Sequence, residues 1–425
     1  MGGSAPSLDR SHPGPSFAPH LLLFAFYNVL YFVPLFLLFV WDYGSRGTTA
    51  SALSMDAGTT LVITLIYVLG VVGFALGGLP LRLLRAGRAM SRSALVLPEV
   101  RLADRLVIVL VAVVFLISKI ALIPLGVYHE YAFSSGEMTG GIWTFSTFCS
   151  ETMVLLGIVV LFSRMRHNVL TFILISALNG INLLHGTRIF FIVTALSALL
   201  YACVRGYVTL RRALLLGPII GLSVLMLAYV VFLSRSGSSV EGAFSAARIV
   251  RPIVDESLLS QLSLVSLARD HSLWDSTGHI PEFLADVTVN TTPRAILADK
   301  DELLYFDKYA FLSPVGGMNG YAAGLIYFGL FFPFFYFVLG FVASWLYMKA
   351  RTHPAWVALY AYFTADFLFR IMRDGYLIPV KMLLNTLEWL VLIILARALF
   401  RAIGKNRVAR SPSPPEPAMH LGRGG

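Results

Sequence analysis

The 425-residue chain is 57% hydrophobic and only 13% charged, and its mean hydropathy is +0.77. These values exclude an ordinary soluble domain, in which about a quarter of the residues are charged. The formal charge of +10 would suggest a nucleic-acid partner in a soluble protein. Here most of the arginine lies in short segments between apolar runs, which is typical of the cytoplasmic loops of membrane proteins. We therefore predict a protein surrounded by membrane lipid, with no nucleic-acid partner.

About ten apolar runs along the chain are long enough to cross the ~30 Å hydrocarbon core of a bilayer. We predict an all-α polytopic membrane protein with transmembrane helices at residues 19–41, 58–80, 106–128, 144–162, 169–184, 189–204, 213–233, 319–348, 355–369 and 377–399. No convincing cleavage site follows the first run, so we expect a retained helix. The predicted organisation is seven helices in residues 19–233, a large loop in 234–318 and three helices in 319–400.

The connections between the apolar runs differ in charge. Five segments are rich in arginine and lysine, and all five fall on one side of the membrane if the helices alternate in direction. Their basic residues are Arg82, Arg85, Arg88, Arg92, Arg101, Arg105, Arg164, Arg166, Arg205, Arg211, Arg212, Lys349, Arg351, Arg401, Lys405, Arg407 and Arg410. Because positively charged loops stay in the cytoplasm, we predict that both termini are cytoplasmic. Pro, Ser and Gly in residues 1–18 and 401–425 predict disorder.

The loop of residues 234–318 falls on the opposite, extracytoplasmic side. It contains 11 acidic and 7 basic residues, and loops of this length are usually functional or disordered. Residues 253–269 place Ile253, Leu258, Val265 and Arg269 at helical spacing. That spacing predicts an amphipathic helix on the membrane surface, and we expect the loop to contain short amphipathic helices.

The two cysteines, Cys149 and Cys203, lie inside predicted transmembrane helices. We therefore expect no disulfide framework, and no CxxC or HExxH spacing indicates a metal site. The sequence predicts neither a metal nor a cofactor.

A very short turn, residues 185–188 (HGTR), joins two predicted helices of about 16 residues on the outer side. Arg188 would stand at the beginning of the second helix. There, backbone N–H groups and the helix dipole favour an anion. The alternative is an interfacial arginine bound to lipid headgroups.

Two further outer segments carry arginine. Arg294 is followed by Lys300 late in the large loop, and Arg370 and Arg373 are one helical turn apart. A solvated mixed-charge loop and a snorkelling pair are the ordinary explanations of these two segments. Together with Arg188 they suggest a polyanionic ligand, since arginine matches phosphate oxygens through paired hydrogen bonds.

Several ionisable residues are predicted in the outer part of their helices, where they should face a bundle interior or a wet cavity. They are Lys119, Glu151, Asp366 and Lys381. The alternative role is that of structural ion pairs within the bundle. Asn179 and Asn182 are candidates for hydrogen bonds between helices.

Four segments resemble the bacterial Wzy-type oligosaccharide repeat-unit polymerases, which include O-antigen and capsule polymerases. They are HGTR (185–188), TTPRAILADK (291–300), SPVGGMNGYAAGLIYFGLFFP (313–333) and FRIMRDGY (369–376). The resemblance covers residues 170–400, and the first half of the chain resembles the family only in hydropathy.

The resemblance implies an enzyme at the periplasmic face of the bacterial inner membrane. It would transfer a growing glycan from undecaprenyl diphosphate onto a second lipid-linked repeat unit. Negative charge develops on the diphosphate leaving group, and arginines would stabilise it without a metal. The candidates are Arg188 and Arg294 first, then Lys300, Arg370 and Arg373. The acceptor hydroxyl needs a general base, and His185, Glu256 and Asp374 stay open for that role.

Two alternative functions remain at this stage. An O-antigen ligase, or another glycosyltransferase acting on a lipid-linked donor, would use similar chemistry with a different acceptor. A flippase or transporter of lipid-linked oligosaccharides should place charges near the membrane midplane and interrupt helices there. The sugars, their linkage, the stereochemical outcome, the oligomeric state and a chain-length-regulating partner stay open.

Overall fold

The structure is a computed structural model. It describes residues 18–41, 56–80, 102–122, 141–184, 189–205, 260–292, 300–312 and 318–384, and the single or paired positions 97, 207–208, 212, 296–297, 391, 394–395 and 398–399. Within these ranges the chain is helical and contains no β-strand. The predicted all-α class is confirmed for this part of the chain. The predicted helix 213–233 and nearly all of the two predicted disordered termini lie outside the described residues.

The described helices follow the chain as three groups. Before the large loop lie α1 (Pro19–Trp41), α2 (Ala57–Gly77), α3 (Leu102–Leu122), α4 (Gly141–Leu161), α5 (Asn168–Asn179), α6 (Ile181–Leu184) and α7 (Ile189–Val204). The loop contains α8 (260–269), a 3-10 turn (His271–Leu273), α9 (Ile280–Thr291) and two 3-10 helices (Lys300–Leu303 and Tyr305–Leu312). After it come α10 (Gly320–Phe328), a 3-10 turn (Gly329–Phe331), α11 (Phe332–Ala350), α12 (Ala355–Tyr362), a π-helical turn (Phe363–Phe367), α13 (Leu368–Asp374) and α14 (377–384).

Two segments of the described chain are long and apolar enough to cross a membrane. They are α2 and the consecutive helices of Gly320–Ala350. Shorter apolar helices span Pro19–Val33, Phe145–Leu161, Asn168–Asn179 and Ile189–Val204. These segments agree with a membrane protein, while the number of ten transmembrane helices stays a prediction.

Helix α1 runs antiparallel to α10 and α11. Near its beginning, His20 Nε2 lies 3.1 Å from Ser344 Oγ, close to the end of α11. Two turns later, Asn28 Oδ1 accepts a hydrogen bond from the Tyr321 hydroxyl at the beginning of α10. All four side chains are buried, so these polar contacts fix the relative position of the helices inside the bundle.

Helices α2 and α11 run parallel and lie unusually close together. A Cβ atom on Gly73 would collide with the backbone oxygen of Pro333, and one on Gly77 with that of Phe337. Further along, a Cβ on Gly340 would collide with the backbone of Phe74. Small residues let helix backbones approach closely, which is a common way of packing helices in membranes.

Helix α4 and the two helices that follow it along the chain, α5 and α6, also run in opposite directions. Helix α4 is antiparallel to α5 and α6, because Gly157 packs near Ile175 while Ser150 bonds to Asn182. Five of the described basic residues lie at or just beyond the ends of α4, α7 and α11, and they mark one end of the bundle, which we call the basic end. They are Arg164, Arg166, Arg205, Lys349 and Arg351. The opposite end, which carries α8 and the described part of the large loop, is called the loop end.

Helix α8 corrects one expectation from the sequence. Residues 260–269 are helical as predicted, but Gln261, Ser263 and Leu264 are completely buried. The Gln261 Oε1 atom accepts hydrogen bonds from Tyr67 at 3.1 Å and from Asn319 at 3.2 Å. The helix is therefore inserted among the other helices instead of lying on a membrane surface, because its polar residues find partners inside the protein.

The Gly320–Ala350 segment is interrupted where the large loop contacts it. Gly329 has φ +51° and Gly278 in the loop has φ +73°, a region that favours glycine. Leu330 N donates to Ser276 O at 3.0 Å, and His279 N donates to Tyr327 O at 2.7 Å. The loop thus pairs with the backbone groups that the helix break leaves free.

Candidate functional site

A buried ion cluster lies at the loop end. Arg370 on α13 is 2% exposed, and its Nη2 lies 2.7 Å from Oε1 of Glu151 on α4. Its Nε lies 2.5 Å from Oδ1 of Asp366, four residues earlier. One guanidinium therefore joins carboxylates from two separate helices. The prediction that the charged side chains face the bundle interior is confirmed for Lys119, Glu151 and Asp366, and it is wrong for Lys381, whose side chain is exposed. The contacts of Glu151 and Asp366 agree with the ion-pair alternative.

The local backbone explains how Asp366 reaches Arg370. Residues Phe363–Phe367 form a π-helical turn in the continuous helical path from α12 to α13. Such turns are rare and occur frequently at functional sites. Asp366 lies in that turn and Arg370 follows in the first turn of α13, so both point to the side where Glu151 lies.

The cluster continues towards the end of α13. Arg373 Nη1 lies 3.7 Å from Asp374 Oδ1, and the Arg373 side chain is 34% exposed. Asp374 is close enough to interact electrostatically with Glu151. Oδ2 of Asp366 is buried and accepts no hydrogen bond from the described residues. The site thus combines three carboxylates with two guanidiniums. The buried Oδ2 atom of Asp366 can still accept a hydrogen bond.

A hydrogen-bonded chain of polar side chains runs next to the ion cluster. Ser150, beside Glu151 on α4, donates to Asn182 Oδ1 at 3.0 Å. Asn182 Nδ2 donates in turn to Asn179 Oδ1 at 2.5 Å. The expectation that Asn182 bonds between helices is confirmed by its contact with Ser150. Asn182 lies three residues before the HGTR segment, on the helix α6 that ends at Leu184.

Helix α7 brings the other side of the HGTR segment to the same place. The guanidinium of Arg370 lies over the ring of Phe190, 5.9 Å from its centroid. Phe190 is buried in the first turn of α7, two residues after Arg188 in the sequence. The FRIMRDGY segment and the beginning of α7 are therefore neighbours in the fold.

Five of the other predicted site residues lie wholly or partly outside the part of the chain that the structure describes. His185, Arg188, Glu256 and Arg294 lie outside the described residues. Lys300 begins the 3-10 helix Lys300–Leu303, but its side chain is outside the described part. Arg370, Arg373 and Asp374 are brought together with Glu151 and Asp366, which were predicted only as buried charges.

Asp286 on α9 is a buried residue that holds the loop end together and that the sequence did not single out. It is 1% exposed and accepts hydrogen bonds from the backbone N–H groups of Tyr305 at 2.7 Å and Phe306 at 2.9 Å. Its Oδ2 also accepts a bond from the Tyr327 hydroxyl on α10. One carboxylate thus ties three parts of the loop end together. A signal existed in the sequence, since Asp286 occupies the apolar face of α9 three residues after Phe283.

Comparisons with known proteins give no relative from which a function can be inferred. No protein-family model matches the chain, and neither a curated protein nor a solved structure does so. Within the described ranges, no group of three or more His, Cys, Asp and Glu side chains is arranged to hold a metal ion. The described part of the chain is all helical, contains two segments apolar enough to cross a membrane, and holds a buried ion cluster.

Proposed function

We propose that the protein polymerises lipid-linked oligosaccharide repeat units at the periplasmic face of a bacterial inner membrane. The observation that carries the proposal is the position of the ion cluster. Arg370, Glu151 and Asp366 lie at the loop end, next to Phe190 at the beginning of α7 and away from the basic end. Two of the four segments that carry the resemblance therefore adjoin this cluster: FRIMRDGY contains Arg370, and HGTR directly precedes α7 in the sequence.

The proposed topology has ten transmembrane helices with both termini in the cytoplasm. The antiparallel arrangement of α1 and α11, and of α4 and α5, supports it. The basic end would then be cytoplasmic under the positive-inside rule. The loop end would face the periplasm, where flipped lipid-linked repeat units arrive.

The reaction would break the bond between the anomeric carbon of the growing glycan and its undecaprenyl diphosphate. A hydroxyl of the second repeat unit attacks that carbon, loses its proton to a base and forms the new glycosidic bond. The released undecaprenyl diphosphate gains negative charge, which preorganised cations would stabilise. Arg188 and Arg294 are the main candidates, and Lys300 and Arg373 could add to them.

Arg370 has a different part in the proposal. Its charge is already compensated by Glu151 and Asp366 at 2.7 and 2.5 Å, so little of it is left to attract a diphosphate. We assign it the positioning of α4 and α13 beneath the site, and Arg373 becomes the arginine of FRIMRDGY that can contact substrate. Asp374 remains a candidate base with His185 and Glu256.

Gene deletion and complementation test the proposal. The gene is deleted in its native host, complemented with wild type, Arg188→Ala, Arg294→Ala or Arg212→Ala, and surface polysaccharide is separated on a gel. Arg212, at the predicted cytoplasmic side, is the matched control. We expect single-repeat glycan in the deletion strain, a long ladder with wild type and the control, and loss of the ladder with the other two variants at equal membrane levels.

Two other outcomes identify the alternative functions. Long undecaprenyl-linked polymer that never reaches lipid A would indicate a ligase. Glycan precursor trapped on the cytoplasmic side would indicate a flippase, for which the interruption of α10 and α11 at Gly329 is the relevant observation. The backbone of the large loop bonds to the groups at that break, so the break does not line an open transport cavity. This favours a polymerase over a transporter.

A further inference from the structure

Two clefts on the loop end meet at His271. The first, of about 620 Å³, is lined by residues of the segment His271–Ser276 together with His279 and Tyr309. The second, of about 820 Å³, lies between the beginning of α2 and the end of α8, where Thr59 and Arg269 line it. His271 lines both clefts, so they adjoin at this residue, and we call the two together the loop groove.

The first cleft has aromatic walls with polar groups between them. Trp274 and Tyr309 are partly exposed, and the Tyr309 hydroxyl lies 3.2 Å from that of Tyr305. The ring of His279 lies 4.9 Å from the Tyr305 ring. Flat rings cover the apolar C–H faces of sugar rings, while hydroxyl, imidazole and carboxylate groups bond to the sugar hydroxyls. This combination fits a carbohydrate better than a lipid chain.

The charges of the loop groove favour an uncharged part of a glycan. Asp56 and Arg269 lie on opposite sides of the second cleft and interact electrostatically. In the first cleft the Asp275 carboxylate accepts the N–H of Thr277 at 2.9 Å. The second cleft carries one charge of each sign and the first carries the Asp275 carboxylate without Lys or Arg among its described lining residues, so the groove offers no concentrated positive field for a diphosphate.

The walls of the groove are held by buried contacts. Trp274 Nε1 donates to Leu267 O at 3.2 Å, on the buried helix α8. Asp286 fixes the 3-10 helix that carries Tyr309. A groove that is rigid before its ligand arrives loses less conformational entropy on binding.

We propose that the loop groove binds the sugar chain of the growing glycan, several residues away from the lipid diphosphate. This inference rests on the proposed function, since it names where the polymer part of that substrate lies. An extended site explains how a membrane enzyme retains a long chain between successive additions. The affinity should therefore rise with the number of repeat units until the groove is filled.

Binding of lipid-free glycan to the full-length protein in detergent tests the groove. The probes are delipidated oligomers of the host's own surface polysaccharide, containing one repeat or eight. The variants are Trp274→Leu and Tyr309→Leu. Phe311→Leu is the matched control, because Phe311 is 64% exposed on the same 3-10 helix as Tyr309 and does not line the groove. Thermal stability is measured for each protein.

We expect wild type and the control to bind the eight-repeat probe, and each groove variant to bind it about tenfold more weakly at unchanged thermal stability. Wild-type affinity for both groove variants would overturn the proposal, and so would a wild type that binds no probe. Loss of wild-type binding on raising the ionic strength would also overturn it, since an uncharged ligand is not screened. The polysaccharide ladder on the gel tests the polymerase activity independently. A wild-type ladder together with a failure to bind glycan would contradict the groove and leave the polymerase standing.

Discussion

Arg370 Nη2 lies 2.7 Å from Glu151 Oε1, and this contact joins α13 to α4 inside the bundle. Both side chains are at least 86% shielded from solvent, as their exposures of 3% and 14% show. Asp366 provides the second carboxylate, at Nε of the same guanidinium. The contact therefore joins the middle of α4 to α13 at the candidate site.

Replacing Arg370 with Leu should destabilise the protein by about 3–5 kcal/mol, since two buried carboxylates would lose their cation. The free energy of unfolding, or the thermal midpoint in detergent, measures this effect. Arg370→Lys should recover only part of the loss, because one ammonium cannot bond to both carboxylates in the geometry of a guanidinium.

The matched control neutralises all three groups. Arg370→Leu combined with Glu151→Gln and Asp366→Asn leaves no unpaired charge, and its stability should be much closer to wild type than that of Arg370→Leu alone. If Arg370→Leu alone unfolds at the wild-type temperature, the cluster does not hold the helices. The positioning role of Arg370 would then be wrong.

Helix positions follow well from the sequence where an apolar run ends at polar residues. The predicted helices 19–41 and 189–204 correspond to Pro19–Trp41 and Ile189–Val204. The predicted helix 169–184 is instead divided at Gly180, and the run 319–348 at Gly329. Hydropathy cannot reveal the second break, because it depends on backbone bonds to a loop segment 50 residues earlier.

The chemistry of the site was only partly predictable. Asp366 was predicted as a buried charge and Arg370 as a neighbour of Arg373, and the four-residue spacing that lets Asp366 and Arg370 form an ion pair on one helix face was missed. The third member, Glu151, lies 219 residues away from Arg370 in the chain and joins it only after α4 packs against α13. Asp286 was missed for the same reason, since its partners Tyr305 and Tyr327 come from two later elements.

Asp286→Ala should loosen the large loop without unfolding the bundle. The variant loses hydrogen bonds to the N–H groups of Tyr305 and Phe306 and to the Tyr327 hydroxyl, and bonds to a charged group are worth about 1.5–3 kcal/mol each. Hydrogen exchange of the Tyr305 and Phe306 amides measures the local opening. We expect their protection to fall by about 3 kcal/mol, which is roughly a hundredfold in rate.

Asp307→Ala provides the comparison, because Asp307 is an exposed aspartate of the same 3-10 helix. Its replacement should leave the exchange of both amides unchanged. Equal protection in Asp286→Ala and wild type would show that Asp286 does not hold this part of the loop.

Gly329→Ala should separate the loop from the interrupted helix. Gly329 has φ +51°, and an added Cβ would lie 2.6 Å from the Asp275 carbonyl oxygen and even closer to that of Ser276. Both neighbours are backbone, so the clash cannot be relieved by rotating a side chain. We expect a loss of at least about 1–3 kcal/mol from the backbone conformation alone, measured by thermal unfolding in detergent.

Gly58→Ala is the control for this substitution. Gly58 lies in the first turn of α2, and its added Cβ would be 3.5 Å from Asp56 Oδ1, an ordinary contact. Alanine there should be neutral or slightly stabilising. Equal thermal midpoints for the two variants would contradict the docking of the loop at Gly329.

Two exposed aspartates make the stability of the folded loop depend on pH. The pKa of Asp270 is lowered from its usual value near 3.8, mainly by the hydrogen bond from the Ser272 hydroxyl. The pKa of Asp275 is lowered mainly by the N–H of Thr277. The neighbouring histidines add a smaller electrostatic contribution in the same direction, His271 to the first and His279 to the second.

A pKa that is lower in the folded loop means that the charged carboxylates stabilise the fold. Their contribution is complete above the unfolded pKa, near 4, and is lost as pH falls through the lower folded value. Limited proteolysis of the loop with an acid-active protease, between pH 5 and pH 2, should therefore accelerate on the acid side. Asp270→Asn combined with Asp275→Asn retains oxygen acceptors that do not titrate, so the double variant should accelerate less than wild type. Identical pH profiles for the two proteins would show that these turns do not contribute to the acid sensitivity of the loop.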